Sequence, residues 1–466
     1  MNIIVKPLYL FGIDVHVQNL LGIHTYGLYF DYFNFVFIFQ FIADPGLQNW
    51  NSQWLSKNRS KAPNHIIPLL VTKILLSIAF FIAIFLVSFF LGYDDKKLLF
   101  FLGLNIVLIT FFSLGRTVLS GIGHYRFDSF FSALDKTLLL IIVGGLLMVN
   151  TDFSLYTFVL GQTAAFFLSN CILWYVILKN KVAWEFSVNF SQIQFILKKS
   201  LPFLYILLFM TAYNRLDGVM LGRMLDDQNF SAGIYATAFR FYDAANMVAY
   251  LFAVILLPLF SAHIYQTSQL KDIFQMGLKL MLLFSTVTAS LLIFYGYPIL
   301  SMQFTDYISE YYRVLILLSI SFFMVSFTYV YGTFLLAADR VKQLNIVYGI
   351  TLGINFLTNL LMIPQFQAIG AAWTTVITQT FVLAAEIFLT SKVIGSLFSG
   401  KEWFKFALFI LLSALTFFSI SHFMSSWNWL GMISSMIICL LLFFILKIIP
   451  LGEVKSLFTK QILASK

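Results

Sequence analysis

The chain alternates long apolar runs with short polar joints. After Met1–Leu21 the runs are Tyr26–Ala43, Ile66–Leu91, Leu98–Gly121, Phe127–Met148, Tyr156–Leu178, Leu201–Leu225 and Ser231–Ser261. Ile273–Tyr295, Val314–Ala337, Ile346–Ile363, Ala371–Val393, Phe404–Met424 and Leu430–Ile449 follow. A helix needs about 20 mostly apolar residues to cross the hydrocarbon core, where only helices and closed barrels satisfy their backbone groups. The pattern predicts an all-α, polytopic membrane helix bundle of about 14 transmembrane helices. The joints carry Gly, Pro, Asn or paired charges, as turns do. Met1–Leu21 is broken by Lys6, Pro7, Asp14 and His16. It lacks the flanks and the small-residue cleavage site of a signal peptide, and reads as a shortened first span. Asp44-Pro45-Gly46 opens what reads as a basic polar loop with Lys57, Arg59 and Lys61.

Charge sets the orientation. One set of alternate loops holds Lys57, Arg59 and Lys61, then Arg126, then Lys179, Lys181, Lys198 and Lys199. It continues with Lys271, Arg340, Lys342, Lys392 and Lys401, and with Lys455, Lys460 and Lys466 in the tail. The opposite set holds Asp152, Asp226, Asp227, Asp306 and Glu310, with Lys96 and Lys97 offset by Asp94 and Asp95. The basic set is cytoplasmic by the positive-inside rule, which puts both termini in the cytoplasm and requires an even number of spans.

Composition agrees. Hydrophobic residues make up 60% and charged residues 11%, against about 45–50% and 25% in a soluble domain. No polar stretch is long enough for a soluble domain, and the net charge of +9 belongs to loops rather than to a nucleic-acid site. Cys171 and Cys439 lie in apolar runs and offer neither a disulfide framework nor a metal motif, and no two histidines are spaced for zinc. No phosphate-binding loop, metalloprotease helix or nucleophile elbow is present. No cofactor, no metal and no enzymatic activity are expected. Paired acids Asp94-Asp95 and Asp226-Asp227 read as caps at helix ends.

The candidate chemistry is a set of charges at membrane depth, each costing about 2.5–3.5 kcal/mol on the lenient insertion scale. Asn214, Arg215 and Asp217 sit inside one apolar run, Arg240 and Asp243 inside the next. At about 1.5 Å per residue, Arg215 and Arg240 both lie roughly 13–15 Å below the turn between the runs, so they share one layer. Two readings stand. One is a structural Arg–Asp pairing; the other is a basic site in a transport cavity. Arg215 and Asp217 are two apart and do not share a helix face, whereas Arg240 and Asp243 are three apart and can pair. Lys73 and Asp135-Lys136 lie deep enough to line an inner vestibule, and Arg116 lies nearer an inner helix end. Asp128 reads as an ordinary helix-start residue, and Glu386 as close enough to the inner interface to snorkel.

A weak repeat is also present. Tyr26-Gly27-Leu28-Tyr29 and Ala232-Gly233-Ile234-Tyr235 open spans six apart, and Gly115–Tyr125 and Gly332–Lys342 close another such pair. An even offset gives parallel repeats related by an axis along the membrane normal, which commonly enclose a substrate site.

Three blocks carry a resemblance. They are Tyr26-Gly27-Leu28-Tyr29 with Asp44-Pro45-Gly46-Leu47; Leu201-Pro202, Tyr213 to Gly222 and Ala232 to Ala238 with Leu257-Pro258; and Gly332, Ala337 to Arg340, Asn355, Asn359, Ile363-Pro364 and Gly370 to Ala372. Their order and spacing, over nearly the whole chain, resemble the oligosaccharide flippases of bacterial polysaccharide biosynthesis, the O-antigen translocase group. This group shares a superfamily with the multidrug/oligosaccharidyl-lipid/polysaccharide exporters and the lipid II flippases. The resemblance implies a V-shaped bundle of two six-helix lobes around a cavity, here 1–180 and 195–395, with two additional helices over 403–449 and a cytoplasmic tail over 450–466. It implies export of an isoprenoid diphosphate-linked glycan across the cytoplasmic membrane without ATP hydrolysis. The family's first helix is normally complete and basic at its start, so the first helix here is expected to be truncated. The partners implied are the lipid-linked glycan and the bilayer. A small-molecule antiporter of the multidrug type is the alternative, and a membrane transferase a third class that lacks its catalytic groups. Two arginines in the midplane layer favour an anionic substrate.

Overall fold

The computed structural model describes residues 5, 7–58, 63–149, 152–179, 189–395, 397–424 and 428–449. Arg59, Lys61 and Lys181 of the basic loops, and the tail over 450–466, lie outside them. The described chain is all-α. A π-helical stretch, Leu8–Asp14, leads into α1 (Val15–Ile38). Then come α2 (Gln40–Ala43), α3 (Leu47–Lys57), α4 (Pro63–Phe90), α5 (Lys96–Gly121), α6 (Tyr125–Val149) and α7 (Leu155–Lys179). The remainder are α8 (Phe190–Met224), α9 (Phe230–His263), α10 (Thr267–Ser301), α11 (Ile308–Ala337), α12 (Val341–Ile394), α13 (Gly400–Phe423) and α14 (Asn428–Ile445).

Among the described residues nine helices, α4 to α7 and α9 to α13, are long and apolar enough to cross a membrane. Their outer faces are apolar too: Ile82 is 64% and Phe89 76% exposed. Such surfaces are stable against lipid tails rather than water. The helix carrying Arg215, Asp217 and Arg223 is not among the nine.

Two helices are broken inside. In α1 the chain breaks at Gly22, with φ 76° and ψ 163°, a conformation glycine adopts without steric cost. The stretch before it packs back on the stretch after, and Tyr26 donates to Asp14 at 3.1 Å. In α12, 54 residues are far more than one crossing needs. Pro364 removes a backbone donor, and Gln367, with φ 53°, breaks the helix three residues later. Both breaks fall where the apolar runs predict a joint.

Local chemistry explains the ends. Asp95, the N-cap of α5, accepts from the Leu98 amide at 2.9 Å, and Asp227, in the turn before α9, accepts from the Ser231 amide at 2.9 Å, so both paired acids serve helix starts. The seventh run extends back to Phe190, where Asn189 and Gln192 form a capping box. The expected polar loop after Gly46 is instead the amphipathic α3. Leu47, Trp50, Asn51 and Leu55 are buried, while Ser52, Gln53, Ser56 and Lys57 face outward. Apolar residues three and four apart make one stripe even in a polar segment. Leu55 fits there because Gly121 of α5 leaves room that a Cβ would fill.

Packing divides the chain into two compact units, Met1–Ala236 with Asn355–Gln367, and Thr237–Ile354 with Ala368–Lys466. In the first, Leu47, Leu69, Leu114, Phe131, Leu173 and Ile196 belong to one buried cluster. In the second, Tyr295, Phe417 and Cys439 join α10 to α13 and α14.

The repeat has a physical counterpart inside the first unit. A side chain at Gly27 would run into the Asn229 carbonyl, and one at Gly233 into the Ile23 carbonyl. Each carbonyl belongs to the residue four before the other glycine. The start of α9 and the middle of α1 thus meet reciprocally, backbone against backbone, at the two glycines of the matched motifs.

Candidate functional site

Helix α8 positions most of the polar groups, and glycine explains how. Gly218 and Gly222 are four apart and share a face. A Cβ at Gly218 would strike Asn34, and one at Gly222 would strike Asp31. The pair of small residues lets α1 lie directly on α8, as at close helix crossings in membranes. Asp31 and Asn34 are thereby brought against the two arginines of α8.

Arg223 is firmly engaged. Its Nε donates to Asp31 Oδ2 at 2.9 Å and its Nη1 to the Gly92 carbonyl at 3.2 Å. Its guanidinium lies 4.1 Å from the Tyr93 ring centroid. Tyr93 donates its hydroxyl to Asp31 Oδ1 at 2.7 Å. Asp31 is fully buried, so its charge is met by a guanidinium on one oxygen and a phenol on the other.

Arg215, two turns earlier, has a different setting. It is half-buried. Its Nη1 donates to Asn34 Oδ1 at 3.4 Å, and its guanidinium stands 4.7 Å from the Phe37 ring and 5.9 Å from that of Phe33. Asn34 donates in turn to the Phe30 carbonyl at 2.7 Å, which turns its oxygen toward Arg215.

Asp217 faces elsewhere, as the two-residue spacing requires. It is 3% exposed. It accepts from Asn355 at 2.9 Å, Asn359 at 2.7 Å and the Tyr235 hydroxyl at 2.9 Å. The two asparagines are one turn apart on α12. Turned over, their amides would present oxygens beside the carboxylate, a hard-donor set suited to a small cation. Among the described residues no cluster of three His, Cys, Asp or Glu could hold a metal ion.

The other candidates are dispersed. Asn214 donates to the Met210 carbonyl of its own helix at 2.8 Å. Lys73 is fully buried and donates to the Ala43 carbonyl at the end of α2 at 2.6 Å. Arg116 pairs with Asp128 at 2.8 Å, so Asp128 is an ion-pair partner rather than only a helix-start residue. Lys136 lies 3.5 Å from Asp135 and 5.4 Å from the Phe166 ring centroid. Arg240 and Asp243 belong to the second unit; Arg240 is 4% exposed and Asp243 half-buried. Glu386, expected to snorkel, is instead fully buried.

Sequence reasoning missed Asp31, Asn34 and Arg223 and gave Asn355 and Asn359 no role. A lone acid in the apolar run Tyr26–Ala43 was the available signal for Asp31. Two asparagines four apart in another run were the signal for the partners of Asp217.

Comparison with solved structures identifies the fold. The lipid II flippase MurJ in an inward closed conformation superposes with a TM-score of 0.73 at 16% identity, over 98% of each chain. An inward-facing multidrug resistance MATE family transporter of the MOP superfamily gives 0.65 at 12% identity, over 83% of this chain and 95% of that one. A MOP superfamily transporter from Pyrococcus furiosus gives 0.59 at 12% identity, over 84% and 93%. At these identities the likeness speaks for the fold. No curated protein matches the sequence. The sequence profile described as "Polysaccharide biosynthesis protein" matches residues 1–264. That is more than half of the 466 residues, and the chain, a multi-pass membrane protein with the fold of MurJ and the MATE transporters, belongs to the polysaccharide biosynthesis protein family.

Proposed function

We propose that the protein flips an isoprenoid diphosphate-linked oligosaccharide across the cytoplasmic membrane by alternating access, for the assembly of a surface polysaccharide. It acts as a transporter and not as an enzyme. The observation that carries this reading is Arg215: a half-buried guanidinium at membrane depth, held against an amide oxygen and two phenylalanine rings. A guanidinium stays charged at that depth and offers a planar fork of donors, which suits the oxygens of a diphosphate. The glycan would occupy a polar cavity while the isoprenoid chain stays in lipid. Arg240, on the following helix, is the second arginine proposed for the headgroup, and 1–180 and 195–395 are the two lobes proposed to rock. Both termini are proposed to be cytoplasmic.

The test is glycan export in cells carrying Arg215 variants. Arg215→Ala should abolish export with near-normal protein abundance, and Arg215→Lys should restore part of it. Normal export by Arg215→Ala would overturn the diphosphate role. The orientation is tested by cysteine labelling in intact cells, with Cys171 and Cys439 replaced. A cysteine at position 229 should label from outside, and one at position 198 only after permeabilisation.

A further inference from the structure

The two matched glycines deeper in the repeat bring out an odd residue. Gly115 of α5 packs on Leu173 of α7. Leu173 and Phe131 lie in one buried apolar cluster. Gly332 of α11 occupies the corresponding place in the second unit, and Glu386 of α12 meets it there, its Oε1 at 3.0 Å from where a Cβ would stand. The residue matching Phe131, by the 217-residue offset of the two glycines, is Tyr348. Tyr348 donates its hydroxyl to Glu386 Oε1 at 3.0 Å. By the same offset Glu386 corresponds to Ser169 and Leu173 to Thr390, so the tyrosine–glutamate contact has no carboxyl counterpart in the first unit. The packing alone does not require a carboxyl group.

The setting is dry. Glu386 is fully buried, its Oε2 has no hydrogen-bond partner, and it forms no ion pair among the described residues. Leu383 and Ile387, on either side of it along α12, line an apolar cavity of about 250 Å³ with Phe323, Phe327 and Phe406. Two phenols stand nearest Glu386: Tyr348, its hydrogen-bond partner, and Tyr331, beside Gly332 and on the cavity wall. The other helices lining the cavity carry half-buried Lys279 on α10 and Glu402 and Lys405 on α13, with Glu402 accepting from the Ser399 amide. An ionised carboxylate with one phenol partner is costly in such a place, and a proton on the idle oxygen removes the charge.

We propose that Glu386 is a proton-binding site of the second unit. The proton sits on Oε2 while Oε1 accepts from Tyr348. Its release needs water to reach the Gly332 seam, so gain and loss of the proton accompany opening of that seam. The further step, that this proton is coupled to glycan movement, rests on the flippase reading above.

Infrared spectroscopy of the purified protein in lipid vesicles tests the site without any transport assay. The wild-type protein should show a carboxylic-acid carbonyl band that disappears in Glu386→Gln and in Glu386→Leu. Tyr348→Phe should shift the band by removing its hydrogen bond. Both Glu386 variants should keep the helical content and abundance of the wild type. An identical band in Glu386→Gln would overturn the proposal. Coupling is read from export at different imposed pH gradients: Glu386→Gln should lose the dependence that the wild type shows. Loss of the band with an unchanged gradient dependence would leave Glu386 a structural acid and overturn the coupling. Failure of the wild type to export glycan would strike the flippase reading and leave the infrared result standing.

Discussion

Arg223 and Arg215 sit on the same helix, two turns apart, and face the same neighbouring helix, yet their settings differ. Arg223 neutralises a fully buried carboxylate and is held by a backbone carbonyl and an aromatic face as well. Arg215 meets an amide oxygen and two phenylalanine rings and keeps part of its surface open. A guanidinium bound to a buried acid belongs to the fold, because removing either partner strands the other. A guanidinium on amide and aromatic faces can exchange those contacts for a ligand at modest cost. Membrane depth alone does not separate these two charges; what each is set against does.

The largest test of this contrast is Arg223→Ala. It leaves Asp31 charged and buried and should cost about 3–5 kcal/mol, seen as loss of the protein from the membrane and a lower melting temperature. Stable, abundant Arg223→Ala would break the distinction. Gly222→Val comes next. Its side chain would displace Asp31 and push α1 from α8, costing about 1–3 kcal/mol in detergent melting, with Arg223 and Arg215 disturbed together. Arg215→Ala should have the smallest effect on stability, with about 0.5–1.5 kcal/mol expected from its hydrogen bond to Asn34, although its effect on export is expected to be complete. A melting curve for Arg215→Ala as poor as that of Arg223→Ala would place both arginines in the structural class.

The span pattern was legible in the sequence because each crossing is coded locally, by a run of about 20 apolar residues and a joint. Gly22 and Gln367 fall in such joints. That Arg215 and Asp217 point to different faces was also legible, since helical geometry separates two residues spaced by two. The partners were not. Asp31 and Arg223 are 192 positions apart, and Asp217 and Asn355 are 138 apart. No local period reports which faces will meet. Helix α3 was hidden for another reason: its apolar stripe is only four residues in a polar segment, so composition masked its periodicity. Glu386 was misread because depth along a helix was the sole guide, and depth does not say whether a side chain can reach water.

The reciprocal crossing of Gly27 and Gly233 makes two distant codons answer for one gap. If Gly27→Ala forces the two backbones apart, the space demanded of position 233 is relaxed in the same movement. Gly233→Ala should therefore cost less in the Gly27→Ala background than alone, and the double substitution should fall short of the sum. Thermal melting of the four proteins of that cycle measures the shortfall; strict additivity would mean that the two contacts yield separately. Sub-additivity would mean that drift at one glycine loosens the restraint on the other, so that descendants of this chain lose the pair together more readily than they lose either member by itself.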